Sequence, residues 1–556
     1  MNNNINTNIQ NEVLEKYKKY EIPNKNIGFK NLCYPETYKH QLPQVFVSKF
    51  MNPKTNNKGL MLVHRIGAGK TCAGILIGEE WKEKRKVFFI VPASLVNNVY
   101  KEFRTGCTQN IYVSSKEKKL LVSLDSTSEE YENLILKINK RIDKYYNIYS
   151  YHKFIKLLEN NDVSLKNSIL IFDEIQNIVS EKGRFYKVLL SSLQKSPPTT
   201  RIVIMTATPI FDKPIELALT LNLLKPREII PVGQKFNDIF IEKVKDNYKL
   251  KNKNLLSALM AGLISFSHGA PSIAFPEKKF KLVRCEMSSF QYKSYKTVSG
   301  DKINYNFKDI LDFPNDFYVG ERMISNISYP NKKVNEEGFE SLSEYIKNLE
   351  DIKKYSHKFY KIIKKVTSSK GPSIVYSDFR SYGGLKPLIK LFEMFGYVNA
   401  LDASESQKKK KNIKFYGLWS SEEKMNHKEM YKNLYNDPKN KDGSILKVML
   451  ISPSGKEGLS LLRTRTMHIL SPYWNSSRIE QVIGRGVRFC SHKDLPPEER
   501  NVKIYMYLAV YKNSYTIDEH IYDLMLRKKE LIDQFYKVIE DSAVDKKLFR
   551  NSLKYI

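Results

Sequence analysis

A glycine-rich segment near the start of the chain has the composition of a phosphate-binding loop. It follows an apolar run and precedes an amphipathic one, and its residues are Gly67, Ala68, Gly69, Lys70 and Thr71. Glycines let backbone N–H groups face phosphate oxygens, the lysine reaches the β- and γ-phosphates, and the threonine hydroxyl is a ligand for Mg²⁺. The segment therefore predicts a nucleotide site. His64 stands where the usual pattern has its first glycine, and a plain glycine-rich turn is the alternative.

Two adjacent carboxylates follow the apolar run at 169–172. They are Asp173 and Glu174, and the end of a parallel strand would place both at the carboxyl edge of a sheet, where open α/β sheets bind ligands. Asp173 can hold Mg²⁺, and Glu174 can orient and deprotonate an attacking water. Acidic residues that complement the dipole of a helix N-terminus are the alternative.

The second half of the chain carries a glycine-bearing turn and an arginine-rich segment. Gly458 lies in the turn at 452–461, and Gln481, Arg485 and Arg488 follow at positions i, i+4 and i+7. On a helix that spacing puts the three side chains on one face. Two guanidinium groups on one face suit stabilisation of the charge on a transferring phosphoryl group. A surface helix with arginine ion pairs is the alternative.

The elements that must position these residues are short apolar runs, each followed by a segment with helical character. The runs are 60–63, 87–91, 169–172 and 202–205 in the first half, and 373–376, 448–452 and 467–470 in the second. This alternation is typical of α/β folds with parallel sheets. We expect two such sheets, a mainly helical insert between them and a helical C-terminal tail.

The division into domains follows from the same pattern. We predict an N-terminal extension at 1–34, a first α/β domain at 35–224, a helical insert or linker at 225–368, a second α/β domain at 369–512 and C-terminal helices at 513–556. At 556 residues the chain has ample length for several cores. Hydrophobic residues at 41% can fill them, so we expect a folded chain rather than a disordered one.

Charge and cysteine usage narrow the class further. Lys and Arg number 92 against 60 Asp and Glu, a formal charge of +32, which favours binding of a polyanion, nucleic acid first, over an evenly solubilised surface. Five scattered cysteines predict neither a disulfide framework nor a zinc module, and they favour a reducing compartment. The polar N-terminus and the lack of a long apolar run predict neither secretion nor a membrane span.

Taken together, the strings GAGKT, DEIQ, TATP, GKEGLS and QVIGRGVR occur in the order and approximate spacing of a superfamily 2 helicase-type ATPase. The stretch at 467–507 resembles more narrowly the SNF2-related ATPases of large cytoplasmic DNA viruses, the group that contains poxvirus nucleoside triphosphatase I and the small subunit of the viral early transcription factor. Related proteins are expected on linear cytoplasmic plasmids of yeasts. His64 is at home in this group, whereas Gln176 stands where many relatives carry histidine.

The resemblance implies two RecA-like domains in tandem that enclose ATP. It implies that Lys70, Thr71 and Asp173 hold Mg-ATP and that Glu174 activates water. Gln44 matches the adenine-reading glutamine of the family, and Gln41 is its rival.

The resemblance also assigns roles in the second half of the chain. Arg488, helped by Arg485, would reach the nucleotide from the second domain, and Gln481 and Gly458 belong to the same motifs.

The implied function is a nucleic-acid-dependent ATPase that translocates on DNA and serves transcription in a cytoplasmic viral or plasmid system. A multisubunit RNA polymerase or a second transcription-factor subunit would be its partner, and its location would be the cytoplasm, a viral factory or the virion. An RNA helicase or a replicative helicase is the alternative within the same chemistry. A promoter- or polymerase-binding factor with a structural ATPase cleft is the alternative of another class.

Overall fold

A computed structural model describes residues 3–23, 28–65, 67–125, 128–245, 247–299, 318–410, 412–456 and 459–551. The chain divides into two compact units. The first contains Met1–Ile273 and Glu530–Ile556, and the second contains Ala274–Lys529. Each unit contains one parallel sheet of the kind expected from the alternating apolar runs. The predicted α/β class with two parallel sheets is therefore confirmed.

In the described part of the first unit, six parallel strands form one sheet in the order β3-β2-β4-β5-β1-β8. The strands of this unit are β1 Gly59–His64, β2 Lys86–Val91, β3 Tyr146–Ser150, β4 Ser168–Asp173, β5 Arg201–Thr206, β6 Ile241–Val244, β7 Asn247–Leu250 and β8 Ile264–Ser267. β6 and β7 pair with each other, antiparallel and outside the large sheet. β1, β4 and β8 are buried along their whole length, as expected for strands covered on both faces.

The helices of the first unit cover the sheet and extend the chain before and after it. They are α1 Asn3–Tyr17, α2 Phe29–Cys33, α3 Leu42–Phe50, α4 Lys70–Trp81, α5 Val96–Phe103, α6 Ser115–Ser123, α7 Glu129–Asp143, α8 Tyr151–Glu159, α9 Arg184–Lys195, α10 Ile215–Leu224, α11 Gln234–Phe240 and α12 Lys253–Leu259. α4 approaches the sheet closely at Gly74, where a Cβ atom would lie 2.7 Å from the sulfur of Met205. A side chain at that position would push the helix away from the sheet.

The strand order brings three functional strand ends together. β1 lies beside β5, and β5 lies beside β4, with Val63 opposite Thr206 and Asp173 opposite Met205. Because all three strands are parallel, their carboxyl ends meet at one edge of the sheet. The segments that follow β1, β4 and β5 are the glycine-rich loop, the carboxylate pair and the TATP segment.

Among the residues that the structure describes in the second unit, seven parallel strands form the sheet β11-β12-β13-β10-β14-β15-β9. These strands are β9 Glu277–Glu286, β10 Ser373–Tyr376, β11 Tyr397–Asn399, β12 Lys414–Trp419, β13 Val448–Ile451, β14 Thr466–Ile469 and β15 Asn501–Val510. The helices are α13 Ser289–Ser299, α14 Val319–Asn326, α15 Glu336–Tyr345, α16 Ile352–Tyr355, α17 His357–Thr367, α18 Leu385–Met394, α19 Glu405–Lys408, α20 Met425–Asn436, α21 Ser476–Gly486 and α22 Ile517–Asp541, which contains the unit boundary.

Every apolar run named in the sequence contributes a strand, and further strands come from segments with a weaker pattern. The polar strand β9 alternates exposed and buried residues only near its end and lies at the edge of its sheet, beside β15. β8 is short and lies at the edge of the first sheet, beside β1. Both strands come from the stretch at 225–368, whose residues the two units share at the boundary between 273 and 274.

The residues at 339–366 form several short helices and not one continuous helix. Asn348 begins a helical turn after α15, because its side chain accepts hydrogen bonds from the backbone N–H groups of Glu350 and Asp351. Ser356 begins α17 in the same way, by accepting from the N–H of Phe359 at 3.0 Å. Side chains of this kind satisfy the N–H groups that a helix start leaves unpaired, so each one marks a new helix rather than a continuation.

Two cysteines form a disulfide in the first unit. The sulfur atoms of Cys72, in the first turn of α4, and Cys107 lie 2.13 Å apart. His40 lies against the pair, and its Nε2 donates a hydrogen bond to the Cys107 carbonyl oxygen at 2.7 Å. The scattered cysteines predicted no disulfide framework, and this disulfide forms because the fold brings together two residues 35 positions apart in sequence. Sulfurs bonded to each other are not thiolate ligands, so no zinc site follows from this cluster. No helix among the described residues has the length and apolar character to cross a membrane.

The disulfide predicts a measurable stabilisation of α4. A disulfide that closes a loop of this length lowers the entropy of the unfolded chain and so raises the free energy of unfolding by about 3–4 kcal/mol. The experiment uses the Cys33→Ser, Cys490→Ser variant, in which the one cysteine outside the disulfide is the buried Cys285. Reductant should speed amide exchange in α4 of this variant by two orders of magnitude or more. Hydrogen exchange read by mass spectrometry measures this. Cys107→Ser should match the reduced protein and ignore reductant, and equal exchange with and without reductant would contradict the prediction.

Candidate functional site

The glycine-rich loop has the backbone shape of an anion cradle. Gly67 and Gly69 have positive φ angles of 85° and 70°, in the left-handed region that glycine enters without steric cost. A Cβ atom on Gly69 would lie 2.2 Å from Nε2 of Gln44. α4 begins at Lys70 with no side-chain cap, so the N–H groups of its first turn are directed at the space where a phosphate would bind.

Lys70 and Thr71 each contact one residue of the carboxylate pair. The Lys70 Nζ atom lies 3.6 Å from Oε1 of Glu174, and both side chains are largely buried, at 10% and 19% exposure. The Thr71 hydroxyl donates to Oδ2 of Asp173 at 3.3 Å. The structure therefore brings together the four polar side chains that the sequence singled out in this half of the chain.

Asp173 is a buried carboxylate whose charge is poorly compensated. Burial is the main cause that raises its pKa to about 7; the neighbouring charge of Glu174 acts in the same direction and Lys70 opposes both. The backbone N–H of Glu174 donates to its Oδ1 at 3.0 Å. A carboxylate oxygen and a hydroxyl oxygen in contact at such a site are the donor type that Mg²⁺ prefers, and a divalent cation would supply the missing positive charge. The residues present therefore fit a magnesium ion.

Glu174 lies in a strained backbone conformation at the end of β4. Its φ and ψ are 53° and 50°, in the left-handed region, and its N–H donates to the carbonyl oxygen of Met205 at 2.9 Å. A non-glycine residue in this region is uncommon and concentrates at functional sites. The conformation turns the carboxylate towards Lys70 rather than continuing the strand.

A polar chain connects Glu174 to the TATP segment. Nε2 of Gln176 donates to Oε2 of Glu174, and Oε1 of Gln176 accepts from the Thr206 hydroxyl at 2.8 Å. Thr206 also accepts from the N–H of Thr208 at 2.9 Å. Gln176 thus bridges two motifs. Sequence reasoning gave it no role of its own, although its place in DEIQ was the available signal.

Gln44 lies in α3 against the glycine-rich loop. Its Nε2 donates to the Gly69 carbonyl oxygen at 3.0 Å, and its Oε1 accepts from the N–H of Gln41 at 2.8 Å. A glutamine amide has two N–H donors and two acceptor lone pairs, so one of each is left after these bonds. Gln41 is the residue before α3, and its side chain is less buried than that of Gln44.

The arginine-rich segment of the second unit is only partly helical. Gln481 and Arg485 lie on α21, which ends at Gly486, so Arg488 lies two residues beyond it. The expectation that all three share a helical face is wrong for Arg488. At Gly486 the chain passes so close to Thr464 and Met467 that a Cβ would lie 3.1 Å from each, and Val487 leaves the helical conformation.

The two arginines nevertheless converge. Nη1 of Arg485 and Nη1 of Arg488 donate to the carbonyl oxygen of Leu459, at 3.1 and 3.2 Å. Arg485 is buried and also donates to the Gln481 backbone carbonyl oxygen at 3.0 Å. The turn after β13 therefore holds both guanidinium groups, in place of a helical face. Gly458 lies outside the described residues.

The sequence-predicted residues thus form one cluster in each unit. In the first unit the loop, the carboxylate pair and Gln44 are in contact. In the second unit Arg485 contacts Gln481, and Arg485 and Arg488 share the Leu459 carbonyl oxygen. Tyr151 is a residue that no motif indicated. Its hydroxyl donates to the Asp173 carbonyl oxygen at 2.8 Å from the start of α8.

Comparison with known proteins places these clusters in context. The profile of the SNF2-related domain matches residues 40–357. The chain is 41% identical to a putative ATP-dependent RNA helicase of Acanthamoeba polyphaga mimivirus, over 97% of this chain and 95% of that protein. It is 25% identical to a termination factor NPH-I homolog of African swine fever virus, over 96% and 83%. The crystal structure of the Pyrococcus furiosus Hef helicase domain is similar with a TM-score of 0.40 and 15% identity, over 86% and 96%.

The backbone of Glu174 predicts an unusual order of stabilities. Glu174→Gly and Glu174→Ala remove the same carboxylate, but alanine keeps the Cβ that disfavours left-handed backbone. We expect the glycine variant to have the higher free energy of unfolding, by about 1 kcal/mol. Denaturant titration of the two variants side by side measures this. An alanine variant as stable as the glycine variant would show that residue 174 is not held in the left-handed region.

Proposed function

The chain belongs to the SNF2-related ATPases of the helicase type, and from that premise we propose that it is a nucleic-acid-dependent translocase that acts on DNA during transcription. The observation that carries the proposal is the contact of Lys70 and Thr71 with Glu174 and Asp173 at one sheet edge. A binding factor with a structural cleft would need none of these four groups in contact.

We assign the roles in ATP hydrolysis as follows. The loop N–H groups and Lys70 bind the β- and γ-phosphates, and Glu174 orients the attacking water and takes its proton as the new oxygen–phosphorus bond forms. The bond between the γ-phosphorus and the ADP oxygen then breaks. Thr71 and Asp173 would hold Mg²⁺, which when bound neutralises phosphate charge.

The Lys70 ammonium group and the Glu174 carboxylate form an ion pair. When the ammonium group moves to the phosphates, that ion pair is lost, and Glu174 becomes available to water. Gln176 keeps a hydrogen bond to Glu174, so it can hold the carboxylate in place during this exchange and transmit its position to Thr206.

Adenine recognition is assigned to Gln44. The N–H and the lone pair that remain on its amide are the two groups that bind the N7 and N6 edge of adenine together. Its bond to the Gly69 carbonyl oxygen couples the base to the phosphate loop.

The arginines of the second unit complete the assignment. Arg488 is partly exposed and Arg485 is buried, so Arg488 is the group that can leave the Leu459 carbonyl oxygen for the γ-phosphate. Arg485 then keeps the turn in shape. Alternation between these two partners of Arg488 would link nucleotide hydrolysis to movement along a strand.

The choice of nucleic acid rests on charge and on relatives. A charge of +32 favours binding of nucleic acid. The 41% identical relative is named as an RNA helicase and the African swine fever virus relative as a termination factor. We favour DNA, with an RNA polymerase or a second transcription-factor subunit as partner and a cytoplasmic viral or plasmid system as the setting. RNA as the strand that stimulates turnover is the second candidate.

The direct test is ATP turnover with single-stranded DNA, duplex DNA and RNA. We expect stimulation by DNA above that by RNA, and a loss of 10²–10⁴-fold in Glu174→Gln, because a general base contributes about that factor. ATP binding by this variant should be retained. Turnover that no nucleic acid stimulates would contradict the proposal, and stimulation by RNA alone would select the second candidate.

The role of Arg488 predicts a separate loss. Arginine groups that stabilise a transferring phosphoryl group contribute about 10³–10⁵ in turnover elsewhere. Arg488→Ala should therefore nearly abolish hydrolysis while ATP affinity changes by a small factor. Arg284→Ala, which removes an exposed arginine of the edge strand β9, is the matched control. Unchanged turnover in Arg488→Ala would reject the assigned role.

The positive charge predicts strong dependence of nucleic-acid binding on salt. If the protein contacts about 6–10 phosphates, affinity should fall by about 10³–10⁵ between roughly 50 and 200 mM salt. Fluorescence anisotropy with a labelled strand, repeated at several salt concentrations, measures the slope. An affinity for the labelled strand that does not change with salt concentration would show that the positive charge serves solubility and not nucleic-acid binding.

A further inference from the structure

Three fully buried polar side chains form a chain of hydrogen bonds beside the phosphate loop. His64 ends β1, Ser265 lies on the neighbouring strand β8, and Asp545 lies in the C-terminal segment after α22; all three are 0% exposed. Nε2 of His64 lies 3.0 Å from Oγ of Ser265, and Oγ of Ser265 lies 2.5 Å from Oδ2 of Asp545. None of the three is needed for the hydrolysis steps assigned above.

The carboxylate decides the direction of these hydrogen bonds. An ionised carboxylate only accepts, and Asp545 accepts from Ser265 at Oδ2 and from the backbone N–H of Phe266 at Oδ1, 3.0 Å away. The Ser265 proton is therefore donated to Asp545, and the Ser265 oxygen is free to accept. It follows that His64 donates from Nε2. Its other nitrogen, Nδ1, then carries a lone pair.

His64 is a neutral imidazole with an unused acceptor. Burial lowers its pKa to about 3, and the nearby positive charge of Lys70 adds to this effect. Nδ1 is buried and has no hydrogen-bond partner among the residues that the structure describes. A buried acceptor without a partner is unfavourable. His64 also stands at the entrance to the loop, where the usual pattern has glycine.

Further contacts tie the C-terminal segment to the loop through β8. The N–H of Val544 donates to the Ile264 carbonyl oxygen at 2.8 Å, and the N–H of Arg65 donates to the Ser267 carbonyl oxygen at 3.1 Å. Gly269, just after β8, lies so close to the loop that a Cβ there would be 3.6 Å from the Cβ of Ala68. β8 therefore lies between the C-terminal segment and the loop and contacts both.

We propose that Asp545 is a positioning residue of the ATP site. Acting through Ser265, it keeps the proton of His64 on Nε2, so that when nucleotide binds Nδ1 accepts a hydrogen bond from one backbone N–H of the phosphate loop that does not bind phosphate. The proposal rests on the function proposed above, and it assigns to the C-terminal segment a part in ATP binding that no motif indicates.

The test reverses the direction of the hydrogen bonds among these three side chains and leaves their positions unchanged. In Asp545→Asn the Phe266 N–H holds the amide oxygen in place, so the NH₂ group donates to Ser265. Ser265 then donates to Nε2, and the His64 proton moves to Nδ1, which loses its lone pair. We expect KM for ATP to rise about tenfold, the effect of one hydrogen bond, with kcat changed less than threefold. Burial raises the pKa of Asp545 to about 7, so the assay is run at pH 8.

A second background separates positioning from stability. His64→Gln keeps a donor for Ser265 but has no atom equivalent to Nδ1, so Asp545→Asn should change KM by less than twofold in that background. Residues that act through one another show such coupling, whereas independent structural effects add. The ¹⁵N chemical shifts of His64 report the tautomer directly and should change from an Nε2-protonated to an Nδ1-protonated ring in Asp545→Asn.

The outcomes are distinct. An equal rise in KM in both backgrounds, or no rise in either, overturns the proposal, as does an unchanged His64 tautomer. Should Asp545→Asn not fold, Ser265→Ala removes the connecting hydroxyl and enters the same comparison. A wild-type protein without ATP turnover would refute the proposed function instead, and the tautomer measurement would still decide the direction of the hydrogen bonds.

Discussion

The interaction on which this site depends is the burial of the Asp173 carboxylate between the Thr71 hydroxyl and the Glu174 backbone. Burial and the neighbouring charge of Glu174 disfavour the ionised form of this carboxylate and raise its pKa. The surrounding architecture maintains this burial: a fully buried parallel strand ends at the carboxylate, and the adjacent strands deliver the lysine loop and the threonines to the same edge. A divalent cation bound at this edge would compensate the carboxylate charge.

Unfavourable backbone conformations and close packing occur at the candidate site residues. Glu174 occupies left-handed backbone, Gly69 leaves room for Gln44, and Gly486 ends α21 so that Arg488 turns back to the Leu459 carbonyl oxygen. In each case a favourable local conformation is replaced by one that presents a polar group. The departures from helix and strand are therefore part of the sites rather than defects around them.

The C-terminal segment belongs to the first unit although it is far from the rest of that unit in sequence. It begins more than 250 residues after β8, yet Asp545 hydrogen-bonds to Ser265 in the core and Val544 pairs with Ile264. The disulfide of Cys72 is a second long-range tie at the loop, on the side of α3 and His40. Two segments that are distant in sequence thus lie beside the phosphate loop: β8, through the Arg65 N–H, and the segment of Cys107, through the disulfide.

Short local patterns predicted the strands inside each sheet, the phosphate loop, the carboxylate pair and the family: continuous apolar runs, glycine before lysine, and acidic residues after a strand. The edge strands β8 and β9, the place of Arg488 beyond α21, the bridge formed by Gln176 and the pairing of Cys72 with Cys107 depend on tertiary contacts. The link from Asp545 to His64 does as well. These features depend on which distant segments pack together. Local residue spacing does not predict contacts between residues that are far apart in the sequence.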